Sequence, residues 1–248
     1  MGFVERATSR YVALTGLFDP RRRLIAKEIM RIAGNLPRPL GSVVDVGAGR
    51  APYRKSLACS RYITTEIDHT CRPAVFAHAR SLPFRSGTVD LVVLTEVLEH
   101  VAEAEEVVRE AARILRYEGW VILSVPLLFG EHDNVDYHRW TGDGISRLLA
   151  PHFKIIELVR NGGILVSMAE ALFFVPVVLL GLDREPRFAY CVANRLWRQA
   201  LWKLVLVGVL VMVRLSLLPP MALMVALDAI DRDKKWTTGY VVLARKTS

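Results

Sequence analysis

Residues 43–57, VVDVGAGRAPYRKSL, constrain the fold more than any other stretch of the chain. Val43, Val44 and Val46 suit a buried strand, Gly47-Ala48-Gly49 a tight turn, and the residues from about Pro52 a helix. Glycine lets a backbone come close to a ligand because no Cβ is in the way. A helix start presents unpaired N–H groups to an anion. The stretch predicts either a nucleotide-type cofactor loop or an ordinary strand–turn–helix crossover. A glycine pair alone does not choose between them.

The rest of the chain repeats the alternation. RYITTEID is a second strand, rich in β-branched residues, and PAVFAHA a short third. VDLVVLTEV (89–97) is an apolar run fit for a strand covered on both faces. AEEVVREAARILR (104–116) has helical spacing. GWVILSVP (119–126) follows a turn at Glu118-Gly119 and makes a fifth strand. TGDGISRLLAPHF holds a helix, and KIIELVRNGG (154–163) and GYVVLARK (239–246) complete seven strands. Strands alternating with helices predict an α/β chain with a doubly wound, mostly parallel sheet. Three regions follow: a basic helical segment over 1–40, a core domain over 41–163 plus 239–248, and an apolar helical insertion over 164–238. In the first, Arg21-Arg22-Arg23 precedes Leu24, Ile25, Ile29 and Ile32 at helix spacing, and Asn35–Pro39 ends the helix.

The insertion holds two apolar runs, ILVSMAEALFFVPVVLLGL (164–182) and LVLVGVLVMVRLSLLPPMALMVAL (204–227). A transmembrane helix needs about 20 apolar residues. Glu170 and Pro176 interrupt the first run. Arg214 sits near the centre of the second, and Pro219-Pro220 should break it. Arginine at mid-bilayer costs at least about 2.5 kcal/mol, so a shallow hairpin in one leaflet is favoured over a true span. Trp197 and Trp202 among Arg195 and Arg198 suit interfacial anchors. A soluble lid or a homo-oligomer interface through 164–228 is the remaining reading. Apolar content of 52%, mean hydropathy of +0.28, net charge of +8 and a pI near 9.7 fit an anionic partner: nucleic acid, a phosphorylated substrate or an acidic membrane face. Cys59, Cys71 and Cys191 are odd in number and lack metal-like spacing, as reduced cytosolic thiols would. No metal is expected. The N-terminus lacks a signal-peptide apolar core, and Arg6 spoils the myristoylation pattern. The expected localisation is cytoplasmic, peripheral or monotopic on the cytoplasmic face of a membrane.

VVDVGAG, an acid ending the second strand, and LPFRSGTVDLVVLTEVLEHV together resemble the class I S-adenosylmethionine-dependent methyltransferases, in the type 11-like branch with the "LPF…LEHV" signature. The resemblance covers residues 42–163 and 240–246, and implies a Rossmann-like sheet and S-adenosylmethionine as cofactor. It implies that Asp45, Gly47 and Gly49 hold the methionine end, with Ala51 as the third small position. Glu66 would accept hydrogen bonds from the ribose hydroxyls; Asp68, two residues on, is the alternative, and a solvated strand-end acid the bland reading. His78, Ala79, Arg80 and Leu82 would line the adenine. The family usually has an acid where this chain has His78. An imidazole nitrogen can accept the adenine bond instead, or the backbone at Ala79 and Arg80 can serve. Thr95, with Glu96, ends the fourth strand, where cofactor and acceptor meet in this family.

His100 in LEHV suits a general base, or a cap for a helix beginning near Ala102. EHDNVDYHRWT (131–141) follows the fifth strand, at the end of the sheet where ligands sit. It resembles the "D…R-[FYW]-T" loop of methyltransferases acting on sugars and other small hydroxyl compounds, matched by Asp136 and Arg139. His132, His138, His100 and Asp136 are the catalytic candidates, and Arg139 and Tyr137 the acceptor-binding ones. The structural alternative has Thr141 capping the next helix and Asp136–Arg139 as a plain ion pair. The resemblance implies methyl transfer, with O-methylation of a small-molecule, sugar or lipid-linked acceptor at a membrane surface as the specific expectation. Nucleic-acid methylation is disfavoured, because the fourth strand ends in Thr95-Glu96-Val97 and not in an Asn/Asp-Pro-Pro-Tyr/Phe motif. A non-catalytic membrane scaffold is the third reading.

Overall fold

The computed structural model describes residues 19–37, 40–131, 135–179 and 200–247. Seven strands form one sheet: β1 (Leu40–Val46), β2 (Cys59–Glu66), β3 (Val75–Phe76), β4 (Val89–Thr95), β5 (Leu115–Pro126), β6 (Phe153–Asn161) and β7 (Gly239–Lys246). Their order is β3-β2-β1-β4-β5-β7-β6. β1 to β5 pair in parallel, and β7 runs antiparallel between β5 and β6. The chain is thus α/β, with the doubly wound, mostly parallel sheet that the alternation predicts. Strand order reverses between β1 and β4, so the crevice for a ligand opens at their carboxyl ends.

Side-chain alternation along the strands builds a core on each face. Val44, Val46, Val92, Leu94, Leu123 and Val242 face helices α2 (Ala104–Ile114) and α3 (Gly142–Leu149) through Val107, Val108, Ala111, Ile145 and Leu149. Val43, Leu91, Val93, Ile122, Val241 and Leu243 pack with Ile25, Ile29 and Ile32 of helix α1 (Pro20–Gly34). Burial on both faces is why the central strands are continuous apolar runs.

Four local expectations are corrected. The helix expected from Pro52 is a single 3-10 turn, Arg54–Ser56; Ala51 takes a left-handed φ of +51°, and β2 begins at Cys59, leaving no room for a helix to propagate. The third strand keeps only Val75–Phe76, because it is an edge with Phe76 exposed. The expected turn at Glu118-Gly119 lies inside β5, which starts at Leu115. Leu115 is wholly buried and pairs with Val89, and a register shift between Val89 and Leu91 absorbs the irregularity. Pro219-Pro220 do not break the second apolar run, because helix α5 (Ala200–Leu227) contains both.

The chain divides into two compact units: 25–131, 135–161 and 237–247 make the sheet unit, while 19–24, 162–179 and 200–236 belong to a helical one. In the helical unit, α4 (Ile164–Leu179) packs on α5 around Ala169, Phe173 and Met221. Asp228 holds the start of α4, accepting hydrogen bonds from the N–H of Gly163 at 2.8 Å and Val166 at 3.3 Å while pairing with Lys234 Nζ at 2.6 Å. Glu170, expected as a charge interrupting a span, is buried against Arg21 at 3.2 Å. Among the described residues no helix is long and apolar enough to cross a membrane. Trp197, Arg195 and Arg198 lie outside the described residues.

Candidate active site

β1 delivers the glycine loop to the crevice. Gly47 has φ of +64°, and a Cβ there would lie 2.6 Å from Cγ2 of Val97 just beyond β4. Backbone angle and space both demand glycine. Gly49 also has a positive φ (+51°), but a Cβ there would meet nothing within 4 Å, so this side of the loop is open. The Ala48 N–H donates to the Thr65 carbonyl at 3.1 Å. Glu66, the last residue of β2, accepts from the N–H of Gly49 at 3.0 Å and from Ile67 at 2.9 Å. With no helix after the loop, the anion cradle expected from a helix start is absent here, and the Glu66 carboxylate sets the loop's geometry.

Asp45 lies under this loop, 1% exposed. Its Oδ2 accepts from the Tyr62 hydroxyl at 2.5 Å, while Oδ1 is buried with no hydrogen-bond partner. Burial pushes its pKa up to about 7; the Tyr62 hydrogen bond opposes the shift, and the charge of Glu66 adds to it. Burial likewise drives the Tyr62 phenol well above its ordinary value. A buried acceptor without a donor costs roughly 1–3 kcal/mol, and a cationic donor on a ligand relieves that cost.

The loop from His78 to Phe84 is fixed by α2. Arg113 donates to the carbonyls of Leu82 and Phe84, both at 3.0 Å, and Glu110 accepts from the Leu82 N–H at 2.7 Å. Their mutual hydrogen bond lowers the Glu110 pKa and raises that of Arg113. Glu110 and Arg113 were not among the residues singled out in the sequence; their i,i+3 spacing on an amphipathic helix was the available signal. The Arg80 side chain pairs with Glu103 at 2.7 Å, on the α2 side of the loop. Ala79 and Leu82 pack into the core. His78 Nδ1 accepts from the Arg80 N–H at 3.2 Å. Of the four expected adenine contacts, then, it is backbone groups and the remaining imidazole nitrogen that are left for a ligand.

Beyond β4 the chain turns sharply. Glu96 has φ of +54° and accepts from Ser124 Oγ at 2.8 Å, next to Thr95. The 3-10 turn Leu98–His100 follows, and the loop after β5 is bound to it at two points and to Ala102 just beyond it at a third. His100 Nδ1 meets the Val135 carbonyl at 2.6 Å, the Tyr137 N–H donates to the Glu99 carbonyl at 2.7 Å, and His138 Nε2 meets the Ala102 carbonyl at 2.9 Å. His100 Nε2 lies 3.8 Å from the fully buried carboxylate of Glu99. The structure therefore brings His100, Tyr137 and His138 together. His100 does not cap the next helix, which starts at Ala104 after Glu103. Asp136 and Arg139 form a bidentate ion pair, and Arg139 also donates to the carbonyls of Phe129 and Gly130. Thr141 caps α3 by accepting from the Gly144 N–H at 3.1 Å. Both structural roles offered as alternatives for this loop are present. His132 lies outside the described residues.

A sequence model described as a methyltransferase domain matches residues 44–123, from β1 through β5. A Mycobacterium tuberculosis protein named as an S-adenosylmethionine-dependent methyltransferase is 30% identical over 162 residues, 58% of this chain and 53% of its own length. Residues 44–123 therefore carry a class I S-adenosylmethionine-dependent methyltransferase domain. The chain spans about half the length of the curated relatives it matches. Among solved structures, the methyltransferase in a complex with the Haloferax volcanii Trm112 activator superposes with a TM-score of 0.56 at 14% identity, over 97% of both chains. The [4+2]-cyclase SpnF superposes with a TM-score of 0.54 at 13% identity, over 89% of this chain and 80% of its own. At such identities the likeness is one of fold, and a cyclase on this fold shows that fold does not name the reaction.

S-adenosylmethionine fits the residues at this methyltransferase's switch point. Asp45 Oδ1 is a buried acceptor suited to the ammonium of the methionine end. Each Glu66 oxygen keeps a second lone pair for a ribose hydroxyl. The open side of Gly49 leaves room for the ligand. When bound, the cofactor supplies a methyl group activated on a sulfonium sulfur.

Proposed function

We propose that this methyltransferase carries out O-methylation of a hydroxyl on a small-molecule, sugar or lipid-linked acceptor, at the cytoplasmic face of a membrane. The observation that carries the chemistry is the placement of His100. It sits three residues beyond Val97, which packs on the glycine loop. The Val135 carbonyl engages Nδ1 and so favours the tautomer whose Nε2 lone pair is available as a base. The buried Glu99 carboxylate lies 3.8 Å from Nε2. His138 and Tyr137 flank this group, and Thr95 and Glu96 line the approach from β4. The chain's task is to align the acceptor oxygen and remove one proton; no covalent intermediate is required.

The membrane reading is supported by α4 and α5. Met168, Met212, Leu223 and Ile230 are exposed on the helical unit, and a soluble monomer rarely leaves so much apolar surface uncovered. Together with the net charge of +8, this fits an anionic lipid surface.

His100→Ala should lower the turnover number by about 10²–10⁴-fold with little change in cofactor affinity. The assay follows S-adenosylhomocysteine formation with lipid extracts and with hydroxylated small molecules as acceptors. Unchanged turnover in His100→Ala would remove the proposed base. Transfer to nucleic acid alone would overturn the acceptor class.

A further inference from the structure

The sheet unit holds a second concavity, away from the glycine loop. A cavity of about 260 Å3 lies between the start of α3 and the carboxyl-end half of β6, with Tyr240 of β7 in its wall. Tyr240 and Arg160 are direct cross-strand partners, so both side chains stand on the same face of the sheet. Tyr240 is 6% exposed and packs in the core with Ile145, Leu149 and Val242. Its hydroxyl reaches the cavity at the helix start, 3.7 Å from where a Cβ on Gly142 would sit, and makes no hydrogen bond to any described residue. The ring is buried while the hydroxyl at its tip is open to the cavity, the usual placing of a tyrosine with one apolar and one wet end. The first turn of α3 adds the N–H groups of Gly142 and Asp143, which have no acceptor within their own helix, and Arg160 adds a cation. Absence of a side chain at Gly142 keeps the cavity open: a Cβ there would come within 3.3 Å of the Tyr240 ring.

We infer that this cavity binds the oxyanion of a small phosphorylated hydroxyl compound, with Tyr240, Arg160 and the start of α3 as its donors. Three kinds of donor converge: a phenol, a guanidinium and helix N-terminal amides, the set that recognises phosphate oxygens. Asp143 is the one carboxylate in the lining. It would repel a bare dianion but accept a hydrogen bond from a hydroxyl beside the phosphate, and so selects a phosphorylated polyol over inorganic phosphate. The volume of about 260 Å3 has room for a group of that size. The inference stands apart from the methyl-transfer reading, since none of its residues holds the cofactor.

The test is calorimetric titration of the full chain, in detergent or lipid where needed, with glycerol 3-phosphate and separately with inorganic phosphate. Saturable single-site binding of glycerol 3-phosphate is expected. It should weaken tenfold or more in Arg160→Gln and about fivefold in Tyr240→Phe, because charge-assisted donors outweigh neutral ones. S-adenosylmethionine affinity should be the same in all three proteins, which also shows that the variants are folded. Asp143→Asn should tighten inorganic phosphate and weaken glycerol 3-phosphate. No saturable binding of either probe, or equal binding in wild type, Arg160→Gln and Tyr240→Phe, would overturn the assignment. Preference for inorganic phosphate in the wild type would overturn the role given to Asp143.

Discussion

In the sheet unit, Val43, Leu91, Val93, Leu123 and Val242 are wholly buried. In the helical unit, Met212, Leu223 and Ile230 are 68%, 59% and 75% exposed. Both regions are rich in apolar residues, yet among the described residues the helical unit's own core cluster holds three buried ones, Ala169, Phe173 and Met221. The sheet unit covers its strands on both faces and leaves polar atoms at the carboxyl edge, where the cofactor site lies. In α4 and α5 the described side chains meet in that one small cluster, while Met168, Met212 and Leu223 are exposed. What orders the helical unit locally is polar: the Arg21–Glu170 pair and the Asp228 carboxylate at the start of α4. Apolar content alone therefore says little about stability, and the pairing of a few buried charges decides more.

The sharpest way to break that contrast is Glu170→Ala. Removing Glu170 takes one carboxylate from a buried ion pair with Arg21, and breaking such a pair costs about 3–5 kcal/mol. Denaturant unfolding of the helical unit should show the loss; a change under 1 kcal/mol would mean that water already reaches the pair. Next comes a matched pair of truncations. Ile122→Ala in the sheet core should cost about 2–5 kcal/mol. Met212→Ala should stay within about 0.5 kcal/mol and instead weaken binding to anionic vesicles. If Met212→Ala cost as much as Ile122→Ala, the outer face of α5 would be covered by protein and the membrane reading would fall. The smaller effect is at the strand-end acid: Glu66→Ala should weaken S-adenosylmethionine binding by about 1.5–3 kcal/mol through lost hydrogen bonds to a charged group. Unaltered affinity would leave Glu66 as a loop brace only.

The sheet was legible because its signals are local and periodic. Valine runs at β1, β4 and β7 name buried strands, and glycines at 47 and 49 mark positive φ where the chain must turn. Elements decided by packing were less legible. Leu115 leaves the helix because the core takes it into β5, and no propensity signals that. The 3-10 turn after Ala51 follows from the space available before β2, which only the sheet register sets. At the candidate site, Asp45 and Glu66 could be placed from the strand ends. The clamp of Glu110 and Arg113 on the Leu82 loop could not, because it joins residues about 30 apart through backbone atoms.

We propose that the crevice beside Gly47 binds S-adenosylmethionine with Asp45 as its buried anion. Without ligand, Asp45 has a pKa raised to about 7 by burial. An acid whose folded-state pKa is raised costs stability as pH rises from its ordinary value near 4 to about 7, by up to about 4 kcal/mol. A cationic ligand that prefers the carboxylate reverses that cost, so binding should release a proton below pH 7. Calorimetric titration of S-adenosylmethionine between pH 6 and 7.5, in wild type and Asp45→Asn, measures this directly. One-site binding is expected, tightening by up to about tenfold for each unit of pH rise toward 7, with proton release, and weaker, pH-independent binding in Asp45→Asn. Wild-type affinity that does not vary with pH and survives Asp45→Asn would contradict it.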